Sequence, residues 1–204
     1  MPTDYEFSVD WFSPHWPNWQ AVTRNLSIQK ILEIGSFEGR STCKMIEEFG
    51  SKSDISIYCI DTWGGGVEHL KFDMNSIEAR FDRNIDHARN LASHSVHIEK
   101  CKGLSGDQMC RLLVADHRET FDLVFVDGSH QAPDVMTDLA LAYQLCRIGG
   151  LLICDDYLWS MEPDGKQDIL NMPKIAVDAF STIFARKIKQ ISMPLYQTYF
   201  RKIA

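Results

Sequence analysis

The alternation of short apolar runs with amphipathic stretches is the sequence feature that most limits the folds open to this chain. Five apolar runs are predicted to be strands: residues 30–35, 56–61, 95–101, 121–128 and 150–156. Several of them are nearly continuous in apolar residues, which is typical of parallel strands covered on both faces. Four stretches between them carry apolar residues at helical spacing: residues 39–50, 75–93, 105–119 and 132–150. The pattern therefore predicts an α/β fold with a doubly wound, Rossmann-like parallel sheet and helices on both faces.

The two ends of the chain depart from this alternation. An aromatic cluster near the start comprises Trp11, Trp16 and Trp19. Residues 1–27 are predicted to carry a helix that packs across the sheet or covers its mouth, and their apolar surface would suit a homodimer. Residues 28–204 would form the core, so that residues 1–204 make a single domain.

The C-terminal region predicts one more helix and two short strands. The helix spans residues 173–187, with Pro173 at its first position. The strands are residues 188–193 and 196–202, joined around Pro194. Because their connection is tight, these two strands should be antiparallel to each other.

Composition excludes several classes of function. A chain of 204 residues with 45% apolar residues has enough material for one full core. Its net charge of −7 argues against a sequence-independent grip on nucleic-acid phosphates. The first twenty residues lack the features of a signal peptide, and no apolar run has the length of a membrane helix. We therefore expect a cytoplasmic protein that acts on a small molecule and does not associate with membranes. The six cysteines form no CxxC pair, and we expect most of them to be buried free thiols.

Ligands of open parallel sheets bind at the carboxyl ends of the strands, so the residues that follow each apolar run are informative. After the first run, Gly35 and Gly39 bracket a turn into a helix and allow a ligand to approach the backbone closely. A dinucleotide fingerprint would need glycine where Phe37 stands, which counts against NAD and FAD. Asp61 ends the second run, where an acid can accept hydrogen bonds from both hydroxyls of a ribose. The turn with Gly103, Ser105 and Gly106 follows the third run and suits a flat adenine ring, although an ordinary turn explains it equally well.

These segments together resemble a known family. The resemblance rests on "ILEIGSFEGRST", "CIDTW", "FDRNI", "FDLVFVDGSHQAPDV", "GGLLICDDYLW" and "PKIAVDAF". In this order they are similar to class I S-adenosylmethionine-dependent methyltransferases, and more narrowly to the small bacterial proteins of the type 24 methyltransferase domain family. The resemblance covers nearly the whole chain. It implies a seven-stranded sheet whose last strand is antiparallel and inserted beside the sixth.

The resemblance also implies roles for individual residues. The amino-acid end of S-adenosylmethionine would be surrounded by Glu33, Gly35, Ser36 and Gly39. Asp61 would bind its ribose, and Ser105 would lie near its adenine. Further contacts at the start of the helix are expected from Glu38, Ser41 and Thr42. For these last three residues, capping of the helix and complementing its dipole are the alternative.

Three carboxylates follow the last two apolar runs. Asp127 ends the fourth run, and Asp155 and Asp156 end the fifth. If these strands are neighbours, the three anions meet at one edge of the sheet, where a cation is expected between them. Oxygen ligands favour Mg²⁺, or else Mn²⁺ or Ca²⁺. The arrangement is similar to catechol-type O-methyltransferases, which carry an Asp-Asn pair where this chain has Asp-Asp. Alternatively, Asp127 binds the cofactor or a nearby backbone, and one acid of the pair caps a loop.

His130 lies three residues beyond Asp127. With a pKa near neutrality it is a candidate general base for the acceptor, a candidate metal ligand, or a partner that orients Asp127. The leading hypothesis is a metal-assisted O-methyltransferase acting on a hydroxylated small molecule or a sugar, with Asp127 and His130 at the catalytic centre. The alternatives are a metal-independent N-methyltransferase and a catalytically inactive S-adenosylmethionine-binding subunit.

Overall fold

The structure, a computed structural model, describes residues 4–66, 69 and 72–204. The strands are β1 Lys30–Ile34, β2 Ile55–Asp61, β3 Val96–Lys102, β4 Phe121–Val126, β5 Cys146–Cys154, β6 Ile188–Ile191 and β7 Thr198–Lys202. The α-helices are α1 Trp16–Thr23, α2 Arg40–Phe49, α3 Met74–Leu91, α4 Ser105–Val114, α5 Ala132–Leu145 and α6 Pro173–Ile183. Short 3-10 helices lie at Ser13–His15 and Ile169–Asn171. All five predicted strands of the alternating region and the two C-terminal strands are present.

The strands form one seven-stranded sheet in the order β3-β2-β1-β4-β5-β7-β6. The pairings of β1 with β2, of β2 with β3 and of β4 with β5 are parallel. The last strand, β7, is antiparallel to both β5 and β6. The predicted Rossmann-like sheet, with an antiparallel last strand inserted beside the sixth, is therefore confirmed.

The chain divides into two compact units, Met1–Gly103 and Leu104–Ala204. In the first unit, β1 is buried almost along its whole length, and α2 buries the apolar side that contains Cys43, Ile46 and Phe49. Helix α2 begins after Gly39, whose φ is +80°, and its last turn closes with a hydrogen bond from Gly50 N to Ile46 O. A single domain over residues 1–204 stays a prediction.

In the second unit, helix α5 ends earlier than the sequence predicts. The predicted helix runs to residue 150, but α5 ends at Leu145 and β5 begins at Cys146. Gly149 and Gly150 therefore lie inside a strand instead of ending a helix, at an irregularity where the pairing with β4 shifts register. A Cβ atom on Gly150 would approach Cys146 Sγ to 2.7 Å, so the close packing at this irregularity requires glycine.

The N-terminal aromatic cluster is mainly part of the packing. Trp19 is fully buried, and its ring contacts those of Phe12 and Trp16, whereas Trp11 is 55% exposed. The predicted helix in residues 1–27 corresponds to α1, and a homodimer through this segment stays a prediction. Among the helices that the structure describes, none combines the length and apolar character needed to cross a membrane.

Candidate active site

The turn that follows β1 is held by Asp61. Gly35, Phe37 and Gly39 all have positive φ, between +47° and +85°. Asp61 Oδ2 accepts hydrogen bonds from the backbone amides of Ser36 at 2.9 Å and Phe37 at 2.8 Å, and Oδ1 accepts one from Trp63 N at 2.6 Å. Asp61 thus fixes the shape of the turn. A carboxylate has acceptor sites beyond these three, so its expected contact with a ribose remains a prediction.

Glu33 is the buried centre of the same region. Its carboxylate is fully buried and accepts hydrogen bonds from the hydroxyls of Ser36 at 2.8 Å and of Ser41 and Thr42, each at 2.5 Å. Burial raises the pKa of Glu33, and the three hydroxyl donors oppose that rise. Ser41 and Thr42 therefore bond to Glu33 and tie the start of α2 to the end of β1.

Glu38 binds other parts of the first unit. It is 2% exposed, and its carboxylate accepts from the backbone amide of Ser8 at 2.7 Å, the Ser8 hydroxyl at 2.9 Å and Arg80 Nε at 2.6 Å. Its carbonyl oxygen accepts from the buried amide of Asn84. Glu38 thereby connects the turn to the N-terminal segment and to α3. Its predicted contact with the cofactor is not tested by these interactions.

In the second unit, Asp127, His130 and Asp156 come together. One potential ligand atom from each lies within 4.8 Å of the other two. His130 Nε2 is 2.7 Å from Asp156 Oδ2, and the Trp159 ring packs on the imidazole with centroids 4.1 Å apart. These three residues line a small open pocket at the ends of β4 and β5. Two carboxylates and one imidazole are a donor set that fits a divalent cation.

Asp155 occupies a different position from its neighbour. It is 8% exposed, and its Oδ2 accepts from Gln197 Nε2 at 2.7 Å while its Oδ1 accepts from the backbone amide of Asp156 at 2.8 Å. Burial and the charge of Asp156 raise the pKa of Asp155 to about 7. The sequence predicts Asp127, Asp155 and Asp156 as metal ligands. Within the described residues, the potential ligand group contains His130 beside Asp127 and Asp156, and a ligand role for Asp155 stays a prediction.

Ser105, the predicted adenine contact, donates its hydroxyl to Asp138 at 2.6 Å. Asp138 lies on α5 and is 1% exposed, and its other oxygen, Oδ2, is buried with no hydrogen-bond partner among the residues that the structure describes. Burial, together with the charge of Asp134, raises the pKa of Asp138 to about 6. In the sequence, Asp138 stands out only as an acid on the side of α5 that also carries Val135 and Leu139. The adenine contact of Ser105 stays a prediction.

Two residues from the C-terminal end are missing from the sequence-based site. The side-chain amide of Gln197 donates to Asp155, and burial together with the charge of Asp156 raises the pKa of Tyr196 to about 12. Both lie about forty residues beyond the acids, in a region read only as a strand. Two aromatic residues that follow the acids also contact this part of the second unit. Trp159 packs on His130, and the Tyr157 hydroxyl donates to Asp178 at 2.7 Å.

The seven-stranded sheet, with its antiparallel β7 between β5 and β6, has the Rossmann-like architecture of class I S-adenosylmethionine-dependent methyltransferases. The family model described as "Methyltransferase domain", of type 24, matches residues 32–157. The chain belongs to this family.

Solved structures of O-methyltransferases share the fold. The O-methyltransferase from Bacillus cereus in complex with SAH is 18% identical, with a TM-score of 0.69 over 97% of this chain and 84% of that one. The MycE methyltransferase of the mycinamycin biosynthetic pathway, in complex with Mg, SAH and mycinamycin VI, is 21% identical. Its TM-score is 0.57, over 97% of this chain and 51% of that one. At these identities the likeness concerns the fold.

A curated relative adds a match in sequence. Uncharacterized protein R132 of Acanthamoeba polyphaga mimivirus is 29% identical over 128 residues. The match covers 62% of this chain and 50% of the relative, so this chain spans about half the length of the relative.

Proposed function

We propose that the protein transfers a methyl group from S-adenosylmethionine to a hydroxyl oxygen of a small molecule or a sugar, assisted by a divalent cation. Membership of the methyltransferase family supports the cofactor. The O-methyltransferases of the same fold, one with SAH and one with Mg and SAH, support oxygen as the acceptor atom and a cation as a participant. The net charge of −7 favours an acceptor other than a nucleic acid.

The observation that carries the proposal is the group formed by Asp127, His130 and Asp156. Two carboxylates facing one another without a cation repel, and a cation with oxygen and nitrogen ligands removes that repulsion. Mg²⁺ and Mn²⁺ both suit the carboxylates, and Mn²⁺ accepts the imidazole more readily. When bound, the cation would orient the acceptor hydroxyl and lower its pKa.

The residues of the first unit would bind and position the cofactor. The turn between Gly35 and Gly39 presents backbone at the start of α2, and Asp61 and Glu33 hold it rigidly from two sides. A rigid turn keeps the sulfonium methyl group in one place, and alignment of the reacting atoms supplies much of the rate in such transfers. In the transfer, the acceptor oxygen loses its proton and forms a bond to the methyl carbon. The bond from that carbon to sulfur breaks, and S-adenosylhomocysteine leaves.

The pairing of His130 with Asp156 favours a second candidate within the same class. A histidine held by a carboxylate at 2.7 Å is an arrangement suited to a general base, which could deprotonate an amine or a hydroxyl without any metal. This alternative predicts methyl transfer that chelators do not affect.

Two experiments test these proposals. Calorimetric titration with S-adenosylmethionine and S-adenosylhomocysteine should show that both bind. If neither of them binds, the cofactor assignment is overturned. Transfer of a labelled methyl group should then be measured against a panel of phenols, sugars and amines, with and without EDTA. Loss of transfer in EDTA and its return with Mg²⁺ or Mn²⁺ is expected. Undiminished transfer in EDTA would favour the metal-free base instead.

A further inference from the structure

Asp156 adopts a backbone conformation that depends on its neighbours. Its φ of +58° lies in the left-handed region, which residues with a side chain rarely adopt. The backbone amide of Asp156 donates to Asp155 Oδ1 at 2.8 Å. The Asp155 side chain therefore holds the Asp156 backbone in the orientation from which Oδ2 reaches His130.

Asp155 is in turn held by the C-terminal end of the chain. Gln197 Nε2 donates to Asp155 Oδ2 at 2.7 Å, and the Tyr199 hydroxyl donates to Gln197 Oε1 at 2.6 Å. An amide that donates at one end and accepts at the other has a fixed rotation as well as a fixed position. Gln197 and Tyr199 are 1% and 0% exposed, so they act from inside the protein rather than by touching a ligand.

The geometry of β7 explains why these two side chains act together. Gln197 immediately precedes β7, and the hydrogen bond from the Tyr199 hydroxyl places both side chains on the same side of this segment. Thr198 points to the other side, where its hydroxyl lies 3.4 Å from the carbonyl oxygen of Cys154, its partner across the strands. Antiparallel pairing of Thr198 with Cys154 thus brings Gln197, the residue before β7, to the side chain of Asp155, the residue after β5.

We propose that Gln197, supported by Tyr199, is a positioning residue that fixes Asp155 and, through Asp155, orients Asp156 for cation binding. The inference rests on the proposed function, because the group being positioned is the one proposed to hold the cation. Polar partners behind metal ligands orient those ligands, and their loss lowers metal affinity about 10-fold to 100-fold. Gln197 is connected to Asp156 through two hydrogen bonds, both accepted by the Asp155 carboxylate, so an effect at the lower end of that range is expected.

The test uses three variants of the full chain. Gln197→Met keeps the length of the side chain and removes its hydrogen bonds, Tyr199→Phe removes only the hydroxyl, and Thr198→Val is the matched control on the other face of the strand. Mn²⁺ affinity is measured by electron paramagnetic resonance, S-adenosylhomocysteine affinity by calorimetry, and thermal stability by circular dichroism. Gln197→Met should weaken Mn²⁺ binding about tenfold and Tyr199→Phe about threefold, with S-adenosylhomocysteine affinity changed by less than about twofold in both.

The outcomes separate this inference from the proposed function. An unaltered protein that binds S-adenosylhomocysteine but not Mn²⁺ would overturn the metal assignment and the inference with it. Mn²⁺ binding that is normal in the unaltered protein and equally strong in Gln197→Met would overturn the inference alone. The inference would also be overturned if Thr198→Val weakened Mn²⁺ binding as much as Gln197→Met does. Equal loss of affinity for Mn²⁺ and for S-adenosylhomocysteine in Gln197→Met would overturn it too. Either result indicates a general effect on folding. Tyr199→Phe gives a readout with little disturbance of packing, in case Gln197→Met does not fold.

Discussion

The imidazole of His130 is joined to Asp156 by a hydrogen bond of 2.7 Å between Nε2 and Oδ2. His130 follows β4 and Asp156 follows β5, so the bond connects the ends of two paired strands. The ring of Trp159 covers the imidazole from one side. A ring fixed in this way is prepared to act as a ligand or as a base, and both roles require a fixed direction for the ring nitrogens.

Replacement of His130 should distinguish these two roles. We expect His130→Ala to lower kcat about 100-fold or more, with S-adenosylhomocysteine affinity unchanged, because the proposed base or ligand is lost while the turn proposed to bind the cofactor is intact. Loss of Mn²⁺ affinity in the same variant would identify a ligand, and retained Mn²⁺ affinity would identify a base. His97→Ala is the control, since His97 is exposed and on β3. Full activity in His130→Ala would contradict both roles.

The ion pair between Arg80 and Glu38 should matter for stability far more than an exposed pair nearby. Arg80→Met leaves the carboxylate of Glu38, 2% exposed, without its cation, and we expect the free energy of unfolding to fall by about 3 kcal/mol. Arg83→Met removes an exposed ion pair with Glu6 and should change the free energy of unfolding by less than about 1 kcal/mol. Urea unfolding of both variants measures the difference. Equal effects would show that the burial of Glu38 does not determine its contribution.

Asp138 should make stability depend on pH. Because burial raises its folded pKa to about 6, the folded state binds its proton more tightly than the unfolded state does. The stabilisation that this provides is complete below the ordinary carboxyl pKa of about 3.9 and is lost as the pH rises through 6.

The variant Asp138→Asn lacks this titration but can still accept a hydrogen bond from Ser105. Its unfolding free energy relative to the unaltered protein should therefore increase between pH 4 and pH 8, by up to about 3 kcal/mol. Unfolding by guanidinium at several pH values checks this. A difference between the two proteins that does not change with pH would contradict the raised pKa.

Replacement by alanine should be more damaging at Gly39 than at Gly165, a glycine with nearly the same φ. A Cβ atom at Gly39 would lie 3.0 Å from the Phe81 ring and 3.2 Å from Ile85, in addition to the strain of a φ of +80°. At Gly165 φ is +82°, but within the described part of the chain no atom beyond its two sequence neighbours would lie within 4 Å of a Cβ atom.

Gly165→Ala should therefore cost about 1–2 kcal/mol from the backbone alone. Gly39→Ala should cost more and should also weaken S-adenosylhomocysteine binding, because the turn that precedes α2 must shift. Calorimetry and urea unfolding of the two variants provide the comparison. Unchanged cofactor affinity in Gly39→Ala would argue against a cofactor role for this turn.

Much of the site was visible in the sequence because it lies next to the strands. Glu33 lies in β1, Asp61 ends β2, and Asp127 follows β4, so the hydrophobic pattern that predicts the strands also locates these acids. The partners of these residues were less visible. Ser8 on Glu38 and Gln197 on Asp155 come from distant parts of the chain, and nothing in their own segments marks them. Asp138 on Ser105 is marked only by its place on the buried side of α5.

The end of α5 shows the same division on a smaller scale. Residues Cys146 to Gly150 carry on the helical pattern of the preceding segment, and a glycine pair commonly ends a helix. Pairing with β4 prevails over this local preference, because backbone hydrogen bonds in the sheet and burial of Cys146 begin four residues earlier than the pattern suggests.

The sequence by itself determined the architecture and the edge of the sheet at which the acids lie, because strand periodicity and the residues that end each strand are local properties of the chain. Only the tertiary structure decided how Asp155 and Asp156 differ. Both acids follow β5, and the left-handed backbone of Asp156, with a φ of +58°, turns the two side chains apart: Asp155 faces Gln197 inside the protein, and Asp156 faces His130 at the pocket. Which direction is inward depends on β7, a strand added more than forty residues later, and that placement exists only in the folded chain.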